Sequence, residues 1–324
     1  MKEALFYEKL ENKKVICRLC PHNCIIDDGD TGICKSRKNL NGILYTINYG
    51  KTVTINPYDP VEKKPLFHFI PGERILSIGA NYCNLRCNYC QNWEISQEES
   101  LTEEITKEEI HKLLNSYKLN ALAYTYTEPV IWYEFVYDSA KYMMENNCMT
   151  VMVTNGYINE EPLQLLLPYL AAMNIDLKSM NDDFYKKNCG GKLEPVLNTI
   201  KLASKNTHLE ITNLIITEEN DGNEEINELI NFIAEIDPRI PLHFSRYYPA
   251  YKLKKPSTNP ERLIYAYNQA KKKLHHVYLG NMIFENKLEC EKCHKILGYR
   301  DYGIPLEIEK GICPWCGHKQ YGIW

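Results

Sequence analysis

Short apolar segments alternate with longer amphipathic segments from about residue 72 to residue 285. Seven of the apolar runs have the length and composition of buried strands. They are residues 75–80, 121–127, 150–155, 171–178, 209–217, 241–248 and 277–281. This order predicts an α/β fold built on a parallel sheet. Six or seven units favour a partial, TIM-like (β/α)6 barrel, and a doubly wound open sheet is the alternative because local patterns do not determine strand order.

Two of the intervening segments carry strong helix signals. In residues 105–118, Thr106 and Glu109 form the pattern of a capping box. In residues 223–236, apolar side chains recur every three or four positions and share one face. Both segments are therefore predicted to be amphipathic helices.

The two ends of the chain do not follow this alternation. Residues 1–71 hold a group of cysteines and polar, glycine-containing turns, whereas residues 286–324 hold four cysteines and few apolar residues. The pattern predicts three regions: a cysteine-rich N-terminal extension (1–71), a partial barrel (72–285) and a small zinc-ribbon-like tail (286–324).

Composition narrows the classes of function. The chain has 324 residues, of which 44% are hydrophobic, enough for a barrel-sized core. A net charge of -4 weighs against a nucleic-acid partner. The first residues are charged throughout and no long apolar window occurs, so we expect a cytoplasmic protein without a membrane segment.

Eleven of the 13 cysteines fall into three groups along the chain. In a protein without an export signal this grouping favours metal ligation over disulfides. The groups are Cys17, Cys20, Cys24 and Cys34; Cys83, Cys87 and Cys90; and Cys290, Cys293, Cys313 and Cys316.

The middle group, in CNLRCNYC, follows the first predicted strand of the alternating region, where a β/α fold collects its reactive groups. Three thiolates hold three irons of a [4Fe-4S] cluster and leave the fourth iron free to bind a small molecule. A zinc loop, or a ferredoxin-type cluster completed by a distant cysteine, is the alternative.

This C-x3-C-x2-C loop, followed by a β/α series, resembles the signature of the radical S-adenosylmethionine (SAM) superfamily. The segments CRLCPHNC, DPVEKKPLFHFIPG, CNLRCNYCQNWEIS and YTYTEP resemble the radical enzymes of the AmmeMemoRadiSam system, which are similar to pyruvate formate-lyase activating enzyme. The resemblance implies an oxidoreductase-like enzyme that cleaves SAM reductively to a 5'-deoxyadenosyl radical, which abstracts hydrogen from an unknown substrate. It also implies an electron donor such as flavodoxin or ferredoxin, and Memo-like and AMMECR-type partner proteins.

The resemblance assigns roles to several residues. Tyr89 matches an aromatic residue that lies against the adenine. Thr127 and Glu128 match the end of a Gly-Gly-Glu motif that holds the methionine amino group, although both glycines are absent here. Thr154 or Asn155 is expected to contact the ribose.

Asp176 and Lys178 stand two positions apart on a predicted strand, so their side chains point to the same side. At the barrel mouth, Lys178 would bind the SAM carboxylate, and Asp176 would orient that lysine or contact the ribose. Further along, Asn213 and either His243 or Arg246 are candidates for the adenosine. Each of these three is also consistent with a purely structural role.

The outer cysteine groups predict additional metals. Two C-x2-C pairs separated by nineteen residues are typical of a structural zinc site, with a rubredoxin-like iron site as the alternative, and either metal would order a tail too small to build a core. The N-terminal C-x2-C-x3-C-x9-C set suits zinc or an auxiliary iron–sulfur cluster.

Two other functions compete with the leading one. A glycyl-radical-enzyme activase would use the same motifs. An iron–sulfur electron carrier, or a zinc-stabilised scaffold, would need no ligands for a carboxylate, so the paired Asp176 and Lys178 weigh against it.

Overall fold

The computed structural model describes residues 1–300 and 308–324 and is organised around one eight-stranded sheet. Its strands are β1 (Thr54–Pro60), β2 (Arg74–Gly79), β3 (Ala121–Tyr124), β4 (Met149–Thr154), β5 (Ala172–Asp176), β6 (His208–Ile215), β7 (Leu242–Arg246) and β8 (Val277–Gly280). Strands β2 to β8 pair side by side in chain order and all run parallel, while β1 adds antiparallel to β2. The predicted parallel α/β fold is confirmed. The doubly wound alternative is wrong, since strand order never reverses.

One long helix lies between each consecutive pair of parallel strands. The helices are α1 (Lys107–Tyr117), α2 (Tyr133–Glu145), α3 (Glu160–Leu166), α4 (Leu193–Ala203), α5 (Asn223–Ile236) and α6 (Pro260–Ala270). Both predicted helices are confirmed, and the capping box between Thr106 and Glu109 is formed. The sheet therefore contains six β/α crossovers. Strands β1 and β8 do not pair with each other in the described residues, so hydrogen bonds do not close the sheet.

Short helical segments fill the connections. Two are single α-turns, at Trp93–Ser96 and Asp182–Phe184; four are 3-10 turns, at Glu11–Lys13, Val61–Lys63, Pro129–Trp132 and Leu167–Tyr169; and Tyr185–Cys189 is a π-helical turn. No helix in the described ranges is long and apolar enough to cross a membrane.

Smaller sheets flank the main one. The N-terminal region forms two three-stranded antiparallel sheets, Lys2–Glu3 with Ile43–Thr46 and Arg37–Leu40, and Tyr7–Lys9 with Val15–Cys17 and Ile25–Ile26. Lys51–Thr52 pairs with Glu103–Glu104, and the tail forms a hairpin of Lys287–Glu289 and Ile296–Tyr299. Strand β1 joins the main sheet although it lies inside the predicted extension. Residues 301–307, part of the predicted tail, lie outside the described residues.

The amino-terminal ends of the strands are covered by the loop that connects β1 and β2. Leu66 and Phe69 of this loop are fully buried and pack against small side chains of the sheet, including Ala121 and Ala123. The tail adds a second layer, since Ile70 N–H donates to Ile323 O at 2.7 Å. The amino-terminal ends of the strands are therefore closed off from solvent by packed side chains.

Glu210 on β6 ties the connecting loop to the sheet. Its buried carboxylate accepts hydrogen bonds from the backbone N–H groups of Phe67 (2.9 Å) and His68 (2.7 Å) and lies 3.1 and 2.7 Å from ring nitrogens of His208 and His243. Burial alone would raise the pKa of Glu210, but the hydrogen bonds from the two histidines outweigh it and hold the pKa well below its usual value.

We expect Glu210→Ala to destabilise the protein by about 3 kcal/mol, because it leaves buried donors of the loop and of both histidines without their charged partner. Urea denaturation followed by circular dichroism measures this loss. Glu228→Ala, at an exposed position of α5, is the matched control and should change stability little. Equal midpoints for the two variants would contradict the anchoring role of Glu210.

Candidate active site

A cavity of about 580 Å³ opens at the carboxyl ends of the strands. It is lined by residues in or just after the carboxyl-terminal halves of β2 to β8, together with residues of β1 and its connection to β2. Asn56 on β1 and Asn281 just after β8 both border it, so the sheet curls around the cavity. Ten residues predicted from the sequence line it: Cys83, Cys87, Tyr89, Cys90, Thr127, Glu128, Thr154, Asn155, Asp176 and Lys178.

The cysteine loop after β2 is held by backbone contacts to the π-helical turn Tyr185–Cys189. Arg86 N–H donates to Cys189 O at 2.7 Å, and Asn88 N–H donates to Asn188 O at 2.9 Å. The thiol of Cys83 accepts contacts from Leu85 N–H (3.3 Å) and the amide of Asn155 (3.5 Å). Such N–H donors stabilise a thiolate or a sulfur ligated to iron.

The segment after β3 presents Glu128 through an unusual backbone. Tyr126 has φ +69°, in the left-handed region that a bulky residue rarely adopts. Thr127 Oγ1 then donates to Ala80 O at 2.6 Å, which ties this turn to the start of the cysteine loop. The glycines of the Gly-Gly-Glu motif are missing, yet Tyr126 takes a conformation that glycine would adopt freely.

Glu128 is buried and accepts three hydrogen bonds from neighbouring segments. These come from Thr154 Oγ1 (2.6 Å), Asn155 N–H (2.8 Å) and Val130 N–H (3.0 Å). Gly156, which follows Asn155, has φ +70°, a conformation that glycine adopts freely. Burial raises the pKa of Glu128 to about 7 in spite of these donors. The carboxylate is thus poised to ionise when a cation binds beside it.

Asp176 and Lys178 lie on the same side of the chain at the end of β5, and both line the cavity. Lys178 Nζ lies 3.0 Å from Asp176 Oδ2. Burial would lower the pKa of Lys178, but Asp176 and the thiols of Cys87 and Cys189 together raise it well above its usual value. A permanently charged ammonium therefore faces the cysteine loop.

Tyr89 lies partly beneath the cysteine loop, with 5% of its surface exposed. Its hydroxyl is 3.3 Å from the thiol of Cys189, and its ring contacts Phe184 at 6.0 Å between centroids. Tyr89 therefore packs beneath the loop and also borders the cavity.

Three predicted residues do not line the cavity. Asn213 faces away from it and donates to Leu177 O at 2.8 Å, whereas its neighbour Thr212 lines it. His243 shares a face with Ser245 but lies deeper, against Glu210. Arg246 donates to Thr258 O at 2.7 Å and to Tyr248 at 3.0 Å.

Comparisons with known proteins agree with this geometry. The model of the radical SAM superfamily matches residues 77–233. This protein contains a radical SAM superfamily domain. An uncharacterized protein of Methanocaldococcus jannaschii is 45% identical over 332 aligned positions, which cover 98% of each chain.

Solved structures share the fold of this radical SAM protein. SuiB of Streptococcus suis, bound to its precursor peptide SuiA, has a TM-score of 0.52 at 16% identity, over 68% of this chain and 51% of that one. A radical SAM methyltransferase from Sphaerobacter thermophilus has a TM-score of 0.50 at 12% identity, over 65% of this chain and 67% of that one. At these identities the likeness concerns the fold alone.

The radical SAM cavity is also lined by three interacting residues that the sequence did not predict, namely Asp59, Lys64 and Tyr126. Asp59 accepts hydrogen bonds from Lys64 Nζ (2.6 Å) and Tyr126 Oη (2.5 Å), and the ammonium lies 4.4 Å from the centre of the tyrosine ring. Asp59 and Lys64 belong to the segment DPVEKKP, which is part of the family resemblance but was not predicted to line the cavity. The trio holds Tyr126 in its left-handed conformation.

The four C-terminal cysteines form a compact group, with all four sulfurs within 4.8 Å of one another. Cys290 and Cys316 sulfurs are 3.6 Å apart, and those of Cys293 and Cys313 are 3.7 Å apart. Tetrahedral zinc with Zn–S bonds of about 2.3 Å would place its sulfurs about 3.8 Å apart. The donor set therefore fits one zinc ion.

We expect Cys313→Ala to lose about one zinc per chain and to lower the thermal unfolding temperature, because the metal orders the tail. Metal analysis of the purified protein, combined with calorimetry, tests this. Cys148→Ala, outside all three cysteine groups, should keep its zinc. Unchanged zinc in Cys313→Ala would contradict the zinc assignment.

Proposed function

We propose that this protein holds a [4Fe-4S] cluster on Cys83, Cys87 and Cys90, cleaves SAM reductively and abstracts hydrogen from an organic substrate. The observation that carries the proposal is the convergence of three thiols, a buried carboxylate and a partly buried ammonium on one cavity at the carboxyl ends of the strands. When bound, the cluster supplies the electron that breaks the sulfonium C–S bond of SAM.

The surrounding residues suit the amino-acid end of SAM. The carboxylate of Glu128 would accept hydrogen bonds from the α-ammonium, and Lys178 would donate to the α-carboxylate. Asp176 would orient Lys178, since their charged atoms are 3.0 Å apart. These opposite charges bind a zwitterion, which an electron carrier or a scaffold does not need.

The nucleoside end would occupy the remaining wall of the cavity. We assign the ribose to Thr154 or Asn155 and the adenine to the neighbourhood of Tyr89, all of which border the cavity. Asn213 and either His243 or Arg246 remain candidates for the adenosine, and binding there would require them to exchange their present partners, Leu177 O, Glu210 and Thr258 O.

Partner proteins are part of the proposal. A one-electron donor such as flavodoxin or ferredoxin would reduce the cluster, and the resemblance of the sequence motifs favours Memo-like and AMMECR-type proteins as partners. A glycyl-radical-enzyme activase would use the same cavity. Electron paramagnetic resonance detects this activity, since addition of a suitable partner would produce the doublet of a glycyl radical.

Anaerobic reconstitution with iron and sulfide, reduction with dithionite and incubation with SAM test the proposal. We expect 5'-deoxyadenosine and methionine in equal amounts, measured by liquid chromatography and mass spectrometry. An intact, reducible cluster that gives neither product would favour the electron carrier instead.

SAM affinity should depend on pH through Glu128. With a pKa near 7, this carboxyl is mostly neutral at pH 6 and mostly ionised at pH 8, so we expect the Kd for SAM to fall about tenfold between these values. The ammonium of Lys178, which also faces the cavity, stays charged throughout. Anaerobic equilibrium dialysis measures the Kd. A Glu128→Gln variant should bind more weakly and show a flat profile; an equally steep profile would assign the titration to another group.

A further inference from the structure

The four N-terminal cysteines meet around a second cavity. Cys17 ends the strand Val15–Cys17, and Cys20, Cys24 and Cys34 come from the following loops. The remaining wall is mainly apolar and includes Ile26 of the extension and Ile131 of the main domain. This cavity shares no lining residue with the SAM cavity. The N-terminal extension and the main domain thus enclose a sulfur-lined cavity that is separate from the SAM cavity.

The spacing of these thiols differs from that of the C-terminal group. Within residues 1–300 and 308–324, only the C-terminal cysteines bring three or more ligand atoms within 4.8 Å of one another, the closeness that a single ion requires. Among the N-terminal four no three sulfurs come this close to one another, nor do the three of the cysteine loop. Because each thiolate of a [4Fe-4S] cluster binds a different iron, cluster ligands are separated more widely than the ligands of one zinc ion.

A buried arginine provides an independent indication of a ligand. Arg37 lines this cavity, is 1% exposed and forms an ion pair with the buried Glu134. One guanidinium nitrogen lies 3.7 Å from the sulfur of Cys17, and its Nε–H has no hydrogen-bond partner among the described residues. Leaving a buried donor unpaired is unfavourable, so its presence here points to an acceptor between the thiols. Sulfide or a ligated thiolate is such an acceptor.

We propose that Cys17, Cys20, Cys24 and Cys34 hold a second [4Fe-4S] cluster. Four protein thiolates leave no iron open, so this cluster exchanges electrons but binds no substrate. The structure also connects the site to the first cluster loop. His22 Nε2 lies 2.7 Å from the carbonyl oxygen of Asn84, which borders this cavity and directly follows Cys83. The second cluster would therefore lie beside the SAM-binding cluster.

The test removes the ligands of the SAM-binding cluster and measures the iron and sulfide that remain bound. In the triple variant Cys83→Ala, Cys87→Ala and Cys90→Ala, we expect about four iron and four sulfide per chain after anaerobic reconstitution, against about eight of each in the unaltered protein. The reduced variant should show the paramagnetic resonance signal of a [4Fe-4S]⁺ cluster. The reverse triple variant, Cys17→Ala, Cys20→Ala and Cys24→Ala, should also keep about four iron.

Absence of iron from the loop variant would overturn the proposal, as would a second zinc ion in the unaltered protein. If the N-terminal variant fails to fold, the iron content of the triple variant at Cys83, Cys87 and Cys90 is sufficient to test the proposal. The measurement does not depend on SAM cleavage, because the loop variant lacks the cleavage site. Failure of the second cluster and failure of the proposed activity therefore give different results.

Discussion

Replacing Cys87 by alanine should reduce SAM cleavage below detection. The thiol of Cys87 is the middle one of the cysteine loop, and its hydrogen bond with Cys189, together with the ammonium of Lys178, lowers its pKa to about 7 although burial opposes this. Without this ligand the loop offers two thiolates, too few to hold a [4Fe-4S] cluster with one open iron. The measurement is 5'-deoxyadenosine formed by reconstituted, dithionite-reduced protein, with iron content determined on the same sample.

Cys189 provides the matched control for this experiment. Its thiol is fully buried, hydrogen-bonds Cys87 and lies 3.3 Å from the hydroxyl of Tyr89, but it does not border the cavity. We therefore expect Cys189→Ala to keep its iron and most of its activity. If both variants lost the cluster equally, Cys189 would be a fourth ligand, and the open iron required for SAM binding would not exist.

Replacing Lys178 by methionine should weaken SAM binding about 10- to 100-fold while leaving the iron content unchanged. Methionine preserves much of the side-chain length but removes the charge, so the variant loses one charge-assisted hydrogen bond worth about 1.5–3 kcal/mol. Anaerobic equilibrium dialysis gives the Kd directly. Cleavage at saturating SAM shows whether the lysine contributes beyond binding.

Lys186→Met is the corresponding control, since Lys186 is exposed and pairs only with the exposed side chains of Asp182 and Asp183. It should bind SAM as the unaltered protein does. An unchanged Kd in Lys178→Met would remove this lysine from the SAM site and leave it as a structural partner of Asp176.

Strand and helix positions were predictable because each apolar run of the barrel region is buried in the sheet. Helix α5 spans the residues that its periodicity predicts, Asn223–Ile236. The pairing of Asp176 with Lys178 followed from the two-residue period of a strand. Local sequence therefore determined which residues share a face.

The sequence did not predict how far along a strand each side chain lies from the cavity. His243 and Ser245 share a face, yet two residues correspond to roughly 6.6 Å along a strand. That distance separates the cavity, which Ser245 lines, from the buried carboxylate of Glu210, beside which His243 lies. Depth depends on where the neighbouring strands and the covering loop lie, and single-strand patterns do not contain this information.

The sequence also did not predict the backbone conformation of Tyr126. The missing glycines before Glu128 suggested a different approach to the cofactor, but Tyr126 adopts a left-handed conformation at φ +69°. Its hydroxyl bond to Asp59 and its contact with Lys64 come from a segment more than sixty residues earlier in the chain. Tertiary contacts of this kind offset local strain, and no local rule predicts them.

The C-terminal tail completes the packing at the amino-terminal ends of the strands, and this affects how the chain folds during its synthesis. His68 contacts Tyr321, 253 residues later, and the neighbouring Ile70 pairs with Ile323. At about 5–20 residues per second, these partners emerge roughly 13–50 s apart. During that interval the loop around Phe69 lacks its outer layer, so the newly made sheet exposes an apolar surface that a chaperone can recognise before the C-terminal tail covers it.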